Sequence, residues 1–413
     1  MDIEKEIKSQ ITLKNKPMRL DNFLTNALYN KNGYYYNTKP IGKRNDFITA
    51  PEISQMFGEI IGLYLFYIWK TKIKSKINFI ELGPGNGTLF KDIANTVSDY
   101  PDFLDNADIY FIEINRLLKK LQRTNLKKYN YLNLKWREKI DFRSSRPSII
   151  YSNEFFDCFP VRQFILNKKW YEKYVDYDEE NNKFYFKNKL VNKKLTSYLN
   201  LYSKEKILEV SFERNEYFDK ICKFIKKNGG VFFTIDYGDF NTNKNFTLQA
   251  IQNHKYSNVL EGVGTKDISS LVNFNDFVKI ARNHKLEIDE YCNQGDFLIK
   301  YGILERKKAL AKKMDKVEID IDNRKQTISS NRIKLDSSSN KLSNISNYYL
   351  DTDSLMHSAI QSASSLSNKV GNCTDVLNTS NWAMPSTGTI KQKTLSYTND
   401  NIGHYLDANG RFN

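Results

Sequence analysis

Cysteine is scarce in this sequence, with four residues among 413, and they lie far apart. No two of them form a CxxC pair; they are Cys158, Cys222, Cys292 and Cys373. Isolated cysteines favour reduced thiols in a cytosol over a disulfide framework. They also provide no cysteine metal site, so we expect no bound metal.

Long apolar runs are absent as well. The longest, IIGLYLFYIW at 60–69, is too short to cross a bilayer and predicts a buried helix. The first residues, MDIEKEIKSQ, carry acidic side chains and no apolar core, unlike a secretory signal or a transit peptide. We therefore expect no membrane span, and a cytoplasmic protein in a bacterium or a mitochondrial-matrix protein in a eukaryote.

The net charge of +15 raises the question of nucleic acid. Lys and Asn are abundant along the whole chain, and the lysines are scattered among Asp and Glu rather than gathered in one stripe. This distribution is typical of a compositional bias. Nucleic acid is therefore not the partner that the sequence favours.

Short apolar runs alternate with helical patterns between residues 77 and 166. INFIELG precedes a helix from Thr88, ADIYFIEIN (107–115) precedes the helical RLLKKLQ, and PSIIYSNEFF (147–156) is a third apolar run. This order predicts an α/β, Rossmann-like fold: a mostly parallel sheet with helices on both faces. A further helix and strand, FDKICKFIKKNGGVFFTIDYG (218–238), repeat the theme.

The remaining segments differ in composition and divide the chain into five parts. A helix is expected from near Pro51 to Trp69, with Thr49 as its cap. After residue 167, aromatic and charged residues alternate as they do in a β-hairpin. The tail is rich in Ser, Asn, Thr and Asp without periodicity. The expected parts are an N-terminal helical or lid region (1–76), the Rossmann-like core (77–166), an antiparallel β insertion on the substrate side (167–215), the remainder of the core (216–312) and a low-complexity, disordered tail (313–413).

The glycine turn that follows INFIELG carries the first functional signal. Glycines before a helix let a ligand approach the backbone and the partial positive charge of the helix N-terminus. Dinucleotide folds use GxGxxG, whereas this chain has ExGxGxG, with Glu81, Gly83, Gly85, Asn86 and Gly87. That pattern is typical of class I S-adenosylmethionine (SAM) methyltransferases, in which an acidic residue at the strand end holds the cofactor's ammonium.

A carboxylate for the cofactor's ribose is expected at the end of the next strand. Glu113 in YFIEIN lies there. Its distance from Gly83 is longer than usual, and we attribute the excess to a surface insertion at 98–106. A glycine-rich turn that binds no ligand remains the alternative for the turn.

The segment SNEFFDCFP (152–160) follows the fourth strand and would line the methyl side of the cofactor. Its paired carboxylates, Glu154 and Asp157, can hold a guanidinium bidentately and accept a proton from it. The alternative is a helix-capping Glu154 and a solvated Asp157. Additional candidates for the pocket or its lid are Asp46, Thr49 and Glu52 in NDFITAPEISQMFGE and Asp236 at a later strand end; local hydrogen bonding at a capped helix start is the alternative for the first two.

These segments, taken in order, resemble the MidA family of protein arginine methyltransferases linked to assembly of respiratory complex I. The matching stretches are GYYYNTKPIGKRNDFITAPEISQMFGEIIG (33–62), IELGPGNGTL (80–89), SNEFFDCFPVRQF (152–164), GGVFFTIDYG (229–238) and QGDFLIKYGILER (294–306). The resemblance implies a SAM-dependent methyltransferase that acts on an arginine of a protein substrate. It further implies that this substrate is the complex I subunit homologous to the mitochondrial 49 kDa subunit.

Three positions depart from the family pattern. Asn45 stands where glycine is usual, Leu271 where histidine is common, and Asn273 where aspartate is common. The departure at Leu271 and the long tail favour one alternative, a non-catalytic assembly factor. An RNA methyltransferase that stacks a flipped base is a second alternative, and a nicotinamide dehydrogenase is disfavoured by the glycine spacing.

Overall fold

A computed structural model describes residues 3–37, 49–202, 204–240, 245–252, 255–311 and 390–395. Its α-helices include α1 Ile3–Lys14, α2 Leu20–Tyr29, α3 Tyr34–Asn37, α4 Ala50–Ile53, α5 Gln55–Ile68, α6 Thr88–Thr96, α7 Pro101–Asp105, α8 Arg116–Asn125, α9 Lys193–Leu199, α10 Phe212–Asn228, α11 Phe274–Asn283 and α12 Gln294–Lys300. Within these ranges, no helix combines the length and the apolar character needed to cross a bilayer.

The strands form three sheets. They are β1 Met18–Arg19, β2 Ile77–Leu82, β3 Ala107–Ile112, β4 Leu134–Arg137, β5 Ser148–Asn153, β6 Arg162–Asn167, β7 Lys169–Asp178, β8 Lys183–Leu190, β9 Ile207–Val210, β10 Gly230–Asp239, β11 Gln249–Gln252, β12 Lys255–Ser257, β13 Asp267–Ser269, β14 Val272–Asn273, β15 Glu290–Asn293 and β16 Ile390–Leu395. A small sheet of β12, β11 and β13 lies apart from the other two.

The largest sheet has the order β15-β16-β10-β5-β2-β3-β4. Adjacent strands from β10 to β4 pair in parallel, as the alternation of strand and helix predicts. The chain runs outward from β2 through β3 to β4 and then returns to the other side of β2 as β5. In open parallel sheets, ligands bind at such a switch point, outside the carboxyl ends of the strands.

Helices cover both faces of this sheet, which confirms the α/β, Rossmann-like prediction. On one face, α5 and α6 bury Ile61, Phe79 and Phe90 in a large core. On the other face, α10 and α11 bury Phe156, Phe218 and Phe277. The strands between them are apolar on both sides; every residue of β2 is buried, as expected for a parallel sheet.

The antiparallel insertion is present, with bounds that differ from those predicted. Strands β7 and β8 form the expected hairpin, but their sheet also includes β6, β9 and β1. It therefore begins at Arg162 rather than at residue 167. The difference arises because β6 belongs to the apolar segment that follows β5. The sequence of that segment gives no local sign that the chain passes from one sheet to another.

The helix predicted from Pro51 to Trp69 is two helices. Ser54 adopts an extended conformation, with φ −148° and ψ 128°, and so separates α4 from α5. Its hydroxyl accepts a hydrogen bond from the Met56 amide at 3.2 Å, which caps α5. Thr49 does precede α4 as expected, but its side chain makes no capping bond.

Residues 98–106 are not the surface insertion expected from the sequence. Pro101–Asp105 form α7, and Phe103 is fully buried in the same core as Phe79. The prediction was wrong because Tyr100 and Phe103 add apolar surface to a segment that otherwise reads as polar and turn-rich.

One strand comes from the tail that the sequence predicts to be disordered. Strand β16 lies between β10 and β15 and pairs antiparallel with both. The rest of 313–413 lies outside the described residues.

Candidate active site

A cavity of about 400 Å³ opens at the carboxyl edge of the large sheet. The ends of β3, β2 and β5 contribute Glu113, Gly83 and Glu154 to its lining. The volume lies within the usual range for small-molecule sites, about 300–1,000 Å³. The switch point of the sheet thus coincides with a concave site of cofactor size.

The glycine turn between β2 and α6 has the left-handed conformation that the sequence pattern requires. The φ angles of Gly83, Gly85 and Gly87 are 59°, 55° and 81°. The Gly87 amide donates to the Pro84 carbonyl at 2.7 Å, which closes the turn. A Cβ at Gly83 would lie 2.9 Å from a ring carbon of Phe155. Glycine here brings backbone atoms to the cavity wall.

Gly85→Ala is expected to weaken cofactor binding at least about tenfold, because its methyl group would occupy the space where a ligand meets the backbone. The matched control is Gly229→Ala, at the end of α10. Gly229 also has a positive φ of 79°, and an added Cβ there meets only Pro147, at 3.9 Å. Isothermal titration calorimetry with S-adenosylhomocysteine measures both affinities. Equal affinities in the two variants would contradict this role for Gly85.

Glu81 lies at the end of β2, lines the cavity and is 2% exposed. Its carboxylate accepts a hydrogen bond from the Tyr151 hydroxyl at 3.1 Å. Burial raises the pKa of Glu81 to about 8, and the hydrogen bond from Tyr151 opposes this shift. A buried carboxylate in this state is well suited to a cationic ligand, which favours its ionised form.

Glu113 lies where the ribose carboxylate was predicted, and the structure shows how it is oriented. One of its oxygens accepts from the Asn115 amide at 2.8 Å, and the other accepts from the Gln122 amide at 3.2 Å. Burial is the main cause that raises the pKa of Glu113, to about 6. It is therefore mostly ionised near neutral pH.

Gln122 is a buried residue that contacts the site and that sequence reasoning missed. Its amide also donates to the Gly85 carbonyl at 2.7 Å, and its oxygen accepts from Trp136 at 2.9 Å. The residue is fully buried, and it joins the glycine turn to Glu113 and to β4. The available signal was its position four residues after Leu118, on the buried face of α8, where a polar residue needs partners.

Glu154 lines the cavity, as predicted, in a strained backbone conformation. Its φ is 51°, which is uncommon outside glycine and costs free energy that the surrounding structure must offset. Its amide donates to the Ile235 carbonyl at 2.8 Å. Burial and the neighbouring Asp236 raise the pKa of the Glu154 carboxyl to about 8, while hydrogen bonds from Asn153 and the Ala50 amide oppose the shift.

Two predicted site residues do not line the cavity. Asp236 accepts hydrogen bonds from the amides of Phe155 at 3.0 Å, Phe156 at 2.7 Å and Tyr237 at 2.9 Å. It therefore fixes the turn that presents Glu154. Asp157 is not part of the cavity lining; burial, Asp236 and two further carboxylates raise its pKa.

Of the predicted lid residues, Thr49 and Glu52 line the cavity. The Glu52 carboxylate accepts a hydrogen bond from Thr88 at 2.5 Å, so α4 contacts the first residue of α6. Asp46 and Asn45 lie outside the described residues. The N-terminal region thus meets the candidate cofactor site through α4.

The two other departures from the family pattern lie away from the cavity lining. Asn273 caps α11, and its side chain accepts from the Asn275 amide. Asn and Asp are equally good at this position, so this departure preserves the local structure. The Leu271 carbonyl accepts from Arg214 at 3.1 Å, a backbone contact that a change of side chain leaves available.

The cavity is acidic although the chain is basic. Among the described residues, six glutamates line it and no Lys, Arg or His does; they are Glu52, Glu81, Glu113, Glu138, Glu154 and Glu213. Clefts lined by one sign of charge concentrate ligands of the opposite sign. This site therefore favours cations and disfavours the phosphates of a dinucleotide or nucleic acid.

The free protein is expected to lose stability as pH rises from 4.5 to about 8. The folded pKa of Glu81 is about 8, above the unfolded value of 4.5, so the folded state binds more protons in this window and unfolding becomes easier as pH increases. Scanning calorimetry across the window should show a falling Tm. Glu81→Gln should flatten the slope, whereas an unchanged slope in the variant would contradict this assignment.

Comparisons with known proteins identify methyltransferases as relatives of this chain. The sequence profile of one family, described as "Putative S-adenosyl-L-methionine-dependent methyltransferase", matches residues 60–292. The protein arginine methyltransferase NDUFAF7 of Danio rerio mitochondria is 29% identical over 327 residues, covering 72% of this chain and 76% of the relative. Its Homo sapiens counterpart is 27% identical over 328 residues, covering 73% and 74%.

The fold is similar to that of a crystal structure from Burkholderia thailandensis, described as a likely methyl transferase bound to S-adenosyl-homocysteine. The two share 20% identity, the TM-score is 0.64, and the match covers 73% of this chain and 81% of the other. The likeness shows a common fold.

Proposed function

Because the chain belongs to the family of S-adenosyl-L-methionine-dependent methyltransferases, we propose that it methylates an arginine side chain of a protein substrate. One observation carries the proposal: the cavity offers glutamates and no cationic side chain among the described residues. The cofactor is SAM, which supplies an electrophilic methyl group on a sulfonium. Both the cofactor and a guanidinium bear positive charge, and both fit this lining.

The residues present fit SAM at its ammonium and its ribose. Glu81 would hold the ammonium, Glu113 the ribose hydroxyls, and Gly83 and Gly85 would bring the backbone against the ligand. Gln122 keeps the turn and Glu113 in a fixed relation. Such fixed geometry favours transfer because donor and acceptor are positioned before the reaction.

Glu154 would bind the guanidinium and act as the base. A guanidinium has a pKa above about 12 and is a poor nucleophile until a proton leaves it. The raised pKa of Glu154, about 8, makes it a stronger proton acceptor than an exposed carboxylate. As the nitrogen bonds to the methyl carbon, the bond between that carbon and the sulfonium would break, S-adenosylhomocysteine would leave, and the proton of the nitrogen would pass to the Glu154 carboxylate.

The finer proposal is that the substrate is the complex I subunit homologous to the 49 kDa subunit, and that methylation supports assembly of the complex. It is supported by the resemblance to the MidA family and by the names of the mitochondrial relatives. Mass spectrometry of this subunit from cells with and without the gene tests it. Loss of a methylated arginine supports the enzyme.

A second experiment separates the enzyme from a non-catalytic assembly factor. The purified chain is incubated with SAM and the recombinant subunit, and arginine methylation is followed over time. Time-dependent methylarginine is the expected result. Binding of SAM and subunit without turnover would instead support the assembly factor, and methylated nucleosides after incubation with RNA would support the RNA methyltransferase.

A further inference from the structure

The cavity lining contains a buried hydrogen-bond acceptor without a partner. The Oδ1 atom of Asn153 is buried and accepts no hydrogen bond from the described residues, and Asn153 lines the cavity. An unpaired buried polar atom is costly in a folded protein. At a ligand site, the missing donor can come from the ligand.

The contacts of Asn153 place this oxygen beside the proposed base. Its Nδ2 atom donates to Oε1 of Glu154 at 3.2 Å. Glu154 is held in turn by its amide bond to Ile235 and by a hydrogen bond from the Ala50 amide to its carboxylate. An amide oxygen and a carboxylate therefore stand next to each other at the end of β5 with a fixed mutual orientation.

We infer that Asn153 binds the target guanidinium together with Glu154, with Oδ1 accepting one N–H and the carboxylate accepting others. The inference rests on the proposed function. A guanidinium presents five N–H donors in a rigid planar fork, whereas a lysine ammonium is a compact charge with three rotating donors. Two adjacent acceptors held in one orientation match the fork, so Asn153 makes the site select arginine over lysine.

Another cationic N–H donor competes for the same oxygen, namely the ammonium of the cofactor. Glu81, at the end of the neighbouring strand, offers that ammonium a carboxyl group that a bound cation would ionise. Asn153 is joined instead to Glu154. For this reason we assign its oxygen to the substrate, and the experiment distinguishes the two ligands.

The experiment measures two affinities for each variant of the full chain. One is the affinity for SAM. The other is the affinity of the protein saturated with S-adenosylhomocysteine for the recombinant 49 kDa-subunit homologue. Asn153→Leu removes the oxygen at similar size, and Asn153→Ala removes it without adding an apolar branch, in case the leucine variant folds poorly. The control is Ser152→Ala, because Ser152 bonds to Thr234 and lies outside the cavity lining.

Both Asn153 variants are expected to bind the subunit about tenfold to a hundredfold more weakly, with SAM affinity within about threefold of wild type. A subunit with lysine in place of the methylated arginine should bind wild type more weakly than the normal subunit does. The two Asn153 variants should bind both forms of the subunit with nearly the same affinity. Unchanged subunit affinity would overturn the inference, as would a loss confined to SAM. Both affinities are equilibrium measurements and do not require methyl transfer. If the protein binds arginine through Asn153 but transfers no methyl group, the proposed function is wrong and the inference about Asn153 still holds.

Discussion

Glu154→Gln is expected to lower the turnover number about 10²-fold to 10⁴-fold, the usual contribution of a general base. Glutamine keeps the size of the side chain and one acceptor oxygen but cannot take the proton that leaves the guanidinium. SAM affinity should stay close to that of wild type, because we propose that Glu81 and Glu113 provide the cofactor's polar contacts. Single-turnover assays with the subunit, alongside calorimetry with SAM, measure the two quantities.

The pH dependence of the same reaction checks the role of Glu154. In wild type, kcat/KM should rise with pH up to the pKa of Glu154 in the free protein, about 8, and the rise should disappear in Glu154→Gln. Asp157→Asn is the matched control, since the Asp157 carboxylate does not line the cavity. An equal loss of turnover in both variants would contradict the assignment of the base to Glu154 alone.

Glu113→Lys should abolish measurable SAM binding, a loss of at least about a thousandfold. The substitution puts an ammonium where we propose that the ribose hydroxyls find their acceptor, at a side chain only 7% exposed. It also removes the acceptor for the Asn115 amide and for Gln122. Titration of the variant with S-adenosylhomocysteine gives the result directly.

Glu113→Gln is a conservative substitution that tests the same position. It retains the size and one acceptor oxygen, so we expect a loss of about tenfold and a melting temperature near that of wild type. Micromolar SAM binding by Glu113→Lys would contradict the ribose role. A folded Glu113→Gln variant with unchanged affinity would also count against it.

The parts of the site that sequence predicts are those fixed by local structure. The glycine spacing alone requires a turn with positive φ between a strand and a helix, and Gly83, Gly85 and Gly87 all have it. Glu81, Glu113 and Glu154 follow from the same reasoning, because the carboxyl ends of parallel strands meet at one edge. All three line the cavity.

The parts that sequence does not predict depend on the direction of a side chain or on a distant partner. Asp236 lies within β10, one residue beyond its pairing with β5, and it accepts three backbone hydrogen bonds instead of lining the cavity. Gln122 lies in a helix whose pattern gives no sign that it reaches Gly85, 37 residues earlier. Strand β16 is recognisable only by its pairing with β10 and β15.

Calorimetric titration of the folded full-length chain with S-adenosylhomocysteine tests the central claim most directly. We expect saturable heat with one site per chain, and proton release near neutral pH as a ligand cation ionises Glu81, whose pKa in the free protein is about 8. Absence of heat at ligand concentrations up to about 1 mM, the weak limit of specific small-molecule binding, would contradict the account.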